Sequence, residues 1–202
     1  LDACNILRLE RPGYEADDIL GTLAKRAKMD GLEVSLVSGD RDLLQIADDV
    51  IKVRIPKTKR TGTEIEDYNT QDVIEKYGLK PVQIIDLKGL MGDASDNIPG
   101  VPGIEEKTAV KLLTQFETVE NTIAHIDEVM PNKARESLRE NTHLAILSKE
   151  LATIKTDCEL EFSYEAARLG NIFTKEAYQI LKQLEMKSLL AKFNLSEEEM
   201  TA

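Results

Sequence analysis

Apolar, β-branched runs that read as strands lie before Thr70, and from there on such runs nearly vanish. This ordering restricts the fold more than any other feature of the chain. LEVSLVS (32–38) and VIKVRI (50–55) are the two strand candidates. Before them, Ile19, Leu20, Leu23, Ala24 and Ala27 share one face at helical spacing, which predicts a helix over 14–30 closed by Gly31. Between them, Asp40 is placed to cap a short helix over about 41–47. Strand, helix and strand in succession predict a parallel α/β unit. Pro56 to Gly62, with Lys57, Lys59 and Arg60, reads as a polar loop. Helical patterns follow at 70–77, 81–91, 105–116, 118–126, 132–141, 143–152 and 174–184, with a short one at 186–193. The division expected is an α/β part over 1–78 and a helical part over 79–202.

Charge narrows the function classes. The chain has 37 acidic and 26 basic residues, a net charge of −11, with no Trp and 4% aromatic residues. Such a chain does not bind polyanions by bulk charge, nor by an aromatic stacking platform. Any meeting with nucleic acid requires local basic patches or metal ions. Cys4 and Cys158 stand far apart and there are only two His, so neither a zinc site nor a disulfide framework is expected. The easy reading is a reducing cytoplasm, with no membrane association, since no apolar run approaches the length of a membrane span. The first residue is Leu and no signal-peptide pattern follows, which suggests a start inside a longer protein.

Three acidic clusters carry the chemistry. Glu15, Asp17 and Asp18 open the first helix; Asp40 and Asp42 follow the strand LEVSLVS; Asp93 and Asp96 lie in a loop between two helices. Each has an ordinary explanation in helix capping or the helix dipole. In combination they suggest more. Ligands of open α/β sheets sit beyond the carboxyl ends of the strands, where Asp40 and Asp42 fall. Carboxylates with little His or Cys suit Mg²⁺ or Mn²⁺, and two such ions clamp a phosphodiester.

Residues 97–111, NIPGVPGIEEKTAVK, join two predicted helices through a Gly/Pro turn. This pattern suits a helix–hairpin–helix, in which backbone N–H groups approach a DNA phosphate. Gly100 and Gly103 would permit the approach, and Lys107, Thr108 and Lys111 would add contacts. An ordinary connection between packed helices accounts for the pattern equally well.

PGYEADDIL, SGDRDLLQI and GDASDNIPGVPGIEEKTA, in this order, closely resemble the 5′–3′ exonuclease domain of bacterial DNA polymerase I, within the flap endonuclease family. The likeness continues through 55–81 and the ending MKSLLAKFNL. The resemblance implies a PIN-like parallel-sheet core followed by an all-helical domain with a helix–hairpin–helix. It implies metal-dependent hydrolysis of DNA, or of RNA primer, near 5′ ends, flaps and nicks during replication and repair, in the bacterial cytoplasm. Matched by motif, Glu15, Asp17, Asp18, Asp40, Asp42, Asp93 and Asp96 surround two Mg²⁺ or Mn²⁺ ions in the family; the ligands this implies here are Glu15, Asp17, Asp40, Asp42 and Asp93, with Asp17 bridging, Asp40, Asp42 and Asp93 on the second ion, and Asp18 and Asp96 further out. Gly100, Gly103 and Lys107 belong to a hairpin that grips duplex with the help of K⁺.

Two departures are expected to matter. The family domain starts upstream of Leu1, so further carboxylates and a basic arch have no counterpart here, and the metal site is expected to be incomplete. The family usually has Gly where this chain has Glu105. Two other readings compete with the nuclease. One is a duplex-binding fragment that does not cut. The other is a phosphatase with Asp40 as nucleophile, disfavoured because Leu44 stands where that family has Thr or Val.

Overall fold

The computed structural model describes residues 1–60 and 62–193. Thr61, within the expected 56–62 loop, and Asn194 and Leu195, within the family-like ending, lie outside the described residues. Two compact units emerge, one spanning Tyr14–Cys158 and one joining Leu1–Gly13 to the chain from Glu159 onward.

The larger unit begins with α1 (Ala16–Met29) and β1 (Val34–Val37), followed by a 3₁₀ turn over Asp42–Ile46. β2 (Ile51–Lys59) and β3 (Gly62–Tyr68) come next. The sheet order is β1-β2-β3, with β1 and β2 parallel and β2 and β3 antiparallel. The parallel βαβ-like pair therefore stands as expected, but the sheet is mixed. The expected polar loop at 56–62 is instead a hairpin that extends β2 to Lys59. Its charges pair across the strands: Arg54 with Asp67 at 2.9 Å, Lys57 with Glu66, and Lys59 with Glu64. Alternating Lys and Glu look like loop in a single strand and become a ladder only when opposite signs face each other. The expected helix at 41–47 is also shorter and tighter, a 3₁₀ turn whose N-cap position is Arg41.

The helices follow as α2 (Thr70–Tyr77), α3 (Ile84–Met91), α4 (Glu106–Phe116), α5 (Val119–Ala124), α6 (Asn132–Glu140) and α7 (Thr142–Ala152). α2 starts where predicted because Asn69 accepts the N–H groups of Gln71 and Asp72, and it stops where Gly78 turns left-handed. The core runs from Leu43, Ile51 and Val53 through Val73 to Leu90, Leu113 and Leu138, all almost fully buried. α3 is held at its first turn by a buried acid. Asp86, 3% exposed, accepts the Val119 N–H at 2.8 Å and pairs with Lys149 of α7 at 2.7 Å. Lys149 also meets Glu120 at 2.7 Å, so three helices converge on one ion network.

In the smaller unit, α8 (Lys175–Gln183) and α9 (Lys187–Leu190) match the expected 174–184 and 186–193 patterns. Phe193 packs edge-on against Phe173 and Tyr178, and the Thr174 hydroxyl donates to the Ala3 carbonyl. Among the described residues, no helix is long and apolar enough to cross a membrane.

Candidate active site

The segment after β1 is folded by its own polar side chains. Ser38 Oγ accepts the Asp40 N–H at 3.0 Å, and Asp40 Oδ1 accepts the Asp42 N–H at 2.9 Å. Leu43 and Leu44, fully buried, anchor the turn from below. Asp40 and Asp42 are thereby held at the carboxyl end of β1.

The third acidic cluster is built by backbone contact. After α3 the chain turns at Gly92, and Asp93 and Ile98 exchange both backbone hydrogen bonds, at 2.9 and 2.8 Å. Asp93 Oδ1 accepts the Ser95 N–H at 2.9 Å, and Asn97 adopts a left-handed φ of 57°. The loop 93–98 is thus closed, with Asp93 and Asp96 on it. Gly100 then lies against Gly92 so closely that a Cβ at residue 100 would stand 2.2 Å from the Gly92 nitrogen. The packing of the acidic loop therefore requires glycine at 100. Gly103 is different: its φ is 77°, and the nearest atom a Cβ would meet, Lys133 Cε, is 3.9 Å away. Open approach is possible there.

The two acidic segments meet. One carboxylate oxygen from each of Asp42, Asp93 and Asp96 lies within 4.8 Å of the others. Asp96, expected further out, belongs to this inner group because the closed loop turns it back beside Asp93. Lys88, from the last turn of α3, penetrates the group with its side chain only 12% exposed. Its ammonium bonds Asp42, reaches Asp93 at 2.6 Å and stands 3.5 Å from Asp96. Lys88 was not foreseen. Its one signal is a lone cation in the apolar helix IIDLKGLM, five residues before Asp93.

The remaining acids adjoin this group. Glu15, Asp17, Asp18 and Asp42 line a groove of about 290 Å³ with Glu150, Thr153 and Lys155. Asp40 and Asp42 line a neighbouring cavity of about 550 Å³ with Asp93 and Asp96. Asp42 is common to both, so the seven predicted carboxylates form two adjoining sets. Asp18 is committed to structure. Its Oδ2 accepts the Glu15 N–H at 3.1 Å and its Oδ1 accepts the Lys155 N–H at 2.8 Å, which stitches α1 to the strand-like segment after α7.

The charges act on one another. Burial pushes the Asp17 carboxyl up to about 6, and repulsion from Asp40, Asp42, Glu15 and Asp18 adds to it. Burial also raises Asp42, more than Lys88 lowers it. For Asp93 the balance reverses: burial raises it, but bonds from Lys88 and Ser95 hold it at about 2. Two half-buried carboxylates and the exposed Asp96 around one ammonium remain net negative. An oxygen-only donor set of this kind fits hard divalent cations.

The hairpin over 100–104 is packed on three sides. Gly100 donates to Ser148 Oγ at 2.9 Å, Val101 donates to the Leu90 carbonyl at 2.8 Å, and Ser137 donates to the Pro102 carbonyl. Glu105 is the N-cap of α4 and makes no side-chain capping bond. Lys107 and Lys111 are exposed, Thr108 is half-buried, and no ion pair reaches either lysine among the described residues.

Comparison with known proteins agrees with this construction. Residues 1–78 match the 5′-3′ exonuclease N-terminal resolvase-like domain, and residues 79–175 match the 5′-3′ exonuclease C-terminal SAM fold. The chain is 51% identical over 201 residues to DNA polymerase I of Bacillus caldotenax, a match covering 98% of this chain and 23% of that protein. It is 52% identical over 190 residues to DNA polymerase I of Bacillus subtilis, covering 94% and 21%. The chain thus spans less than a quarter of the length of these relatives. Among solved structures, T5 5′-exonuclease with bound zinc is similar at a TM-score of 0.64 and 25% identity, over 86% of this chain and 61% of that one.

Proposed function

The chain belongs to the 5′-3′ exonuclease family, and from that premise we propose that it carries a metal-dependent nuclease site. The reaction is hydrolysis of DNA phosphodiesters near 5′ ends, at flaps and nicks, in replication and repair in the bacterial cytoplasm. The observation that supports this best is the convergence of Asp42, Asp93 and Asp96 around the Lys88 ammonium. That ammonium marks the spot as one where a cation is favoured. A divalent ion bound there would supply Lewis-acid polarisation of the phosphate and a water of lowered pKa.

The protein's own residues set the stage for that chemistry. Asp42, Asp93 and Asp96 would hold one ion, and Asp17 with Glu15 and Asp40 a second. Mg²⁺ or Mn²⁺ matches the all-carboxylate donor set. Lys88 draws Asp42 and Asp93 together, and its bond helps hold the Asp93 carboxyl well below the usual carboxylate range. Asp18 fixes the start of α1 so that Glu15 and Asp17 face the groove. Residues 79 onward contribute the hairpin, where Gly103, Lys107, Thr108 and Lys111 would hold duplex phosphates, with K⁺ as a further candidate ion.

Cleavage of a 5′-flapped duplex tests this reading. In Mg²⁺ the protein is expected to release the flap, and Asp42→Asn with Asp93→Asn to abolish release while duplex binding persists. Duplex binding by the unsubstituted protein, without cleavage in Mg²⁺ or Mn²⁺, would make the chain a binding module instead.

A further inference from the structure

The 550 Å³ cavity beside the carboxylates is lined by a second cation that pairs with none of them. Arg41 stands in the chain between Asp40 and Asp42, yet among the described residues it forms an ion pair with neither. Its Nη1 donates to the Tyr77 hydroxyl at 2.8 Å, the guanidinium also bonds the Tyr68 hydroxyl, and its nearest carboxylate is that of Glu66, at 4.0 Å. Glu66 is already served by Lys57 at 2.5 Å, by Lys76 at 3.3 Å and by the Tyr68 hydroxyl at 2.7 Å. Three cations therefore share one carboxylate, and Arg41 is the outermost of them. A guanidinium has five N–H donors in a planar fork suited to phosphate, and its side chain here is 41% exposed.

Arg41 and Tyr77 line the same cavity as Asp42, Asp93 and Asp96. Leu44, Ile84, Leu87 and Met91 also line it, so apolar side chains accompany the two polar groups. A cavity of this size lies within the range of small-ligand sites, about 300–1,000 Å³. Lys88 is committed to the carboxylates, which leaves Arg41 as the lining cation, among the described residues, with donors to spare. A carboxylate cluster fit for a cation-bridged phosphate, apolar side chains, and a guanidinium with donors to spare match the make-up of a nucleic-acid strand, in which charged phosphates alternate with bases whose ring faces are apolar.

We infer that this cavity is a subsite for one nucleotide of the substrate strand, with Arg41 bound to the phosphate next to the one cleaved. The inference rests on the nuclease reading above and adds a residue to it. Tyr77 is the positioning residue, since its hydroxyl holds the guanidinium away from Asp40 and Asp42. Arg41→Lys would keep the charge and lose the fork, so it is expected to restore only part of the binding.

The test uses 5′-flapped duplexes in which one phosphate at a time, on either side of the scissile one, is replaced by an uncharged methylphosphonate. With the unsubstituted protein, one such replacement is expected to raise KM roughly tenfold, the scale of one charge-assisted bond. Arg41→Ala should show that rise on the unmodified substrate and no further rise at that position. Tyr77→Phe should raise KM less and leave kcat near its original value. A Mn²⁺-induced rise in melting temperature, retained in Arg41→Ala, will show that the carboxylate cluster is intact; should Arg41→Ala not fold, Arg41→Lys carries the same comparison. Equal penalties at every position in the unsubstituted protein and in Arg41→Ala would overturn the subsite while leaving the nuclease standing. A protein that cleaves none of the substrates overturns both.

Discussion

Lys88 Nζ lies 2.6 Å from the nearer carboxylate oxygen of Asp93, and it bonds Asp42, 46 residues away, at the same time. One ammonium thus joins the loop after β1 to the loop after α3. The candidate site is organised around this ion pair before any metal enters.

Removal of the ammonium leaves half-buried carboxylates facing one another. Lys88→Met is expected to destabilise the metal-free protein by about 3 kcal/mol, the scale of breaking a buried pair. The same change removes a competitor for the carboxylates, so Mn²⁺ should bind more tightly. Urea melts in EDTA and calorimetric titration with Mn²⁺ check the two halves independently.

Divalent cations should stabilise the folded state. At one hundred times its dissociation constant, a bound ion contributes about 2.7 kcal/mol. Mn²⁺ is therefore expected to raise the melting temperature by several degrees, and Asp42→Asn with Asp93→Asn to remove the response. An unchanged melting temperature in millimolar Mn²⁺ would contradict a preformed site.

Asp17 and Asp93 give stability opposite slopes with pH. The folded Asp17 carboxyl titrates at about 6, pushed up first by burial and then by its acidic neighbours. An unfolded Asp titrates near 3.9, so between about pH 4 and 6 the folded form keeps a proton that the unfolded form has lost. The Asp17 contribution is therefore greatest below about pH 4 and falls away as pH rises through 6. Asp93, at about 2, contributes stability above about pH 4 that is lost as pH falls toward 2. In EDTA, Asp17→Asn should flatten the decline between pH 4 and 6, measured by urea melts at each pH.

The two hairpin glycines should separate. Gly100→Ala drives a Cβ into the Gly92 backbone and is expected to cost more than about 2 kcal/mol, with loss of the acidic loop's geometry. Gly103→Ala meets nothing closer than 3.9 Å and carries only the left-handed backbone penalty, about 1 kcal/mol. Its main effect should fall on duplex affinity, read by anisotropy at low salt.

Glu105 caps α4 with no side-chain bond to hold it, beside the proposed phosphate contacts. Glu105→Gln removes the charge and should tighten duplex binding a few-fold, whereas Lys107→Ala should weaken it and lower the salt dependence.

Much of this architecture is legible in the residues themselves. Helix α2 begins and ends where its Asn69 cap and Gly78 stop signal place it, because capping and periodicity act within four residues. The position of Asp40 and Asp42 at a strand end follows from LEVSLVS in the same way. The three acidic motifs resemble those of a known family, so the candidate ligands can be listed from the residues alone. Tertiary structure alone decided how those acids are used. It closed the 93–98 loop so that Asp96 joins Asp42 and Asp93, bound Asp18 to the Lys155 backbone, and spent the missing side chain of Gly100 on the Gly92 backbone. It paired the charges of Arg54–Lys59 with those of Glu64–Asp67 into a hairpin, turned Arg41 away from its own neighbours, and placed Lys88 among the carboxylates. The physical reason is range. Dihedral preference and capping are local, whereas charge pairing and backbone contact depend on which distant segments the hydrophobic core brings together.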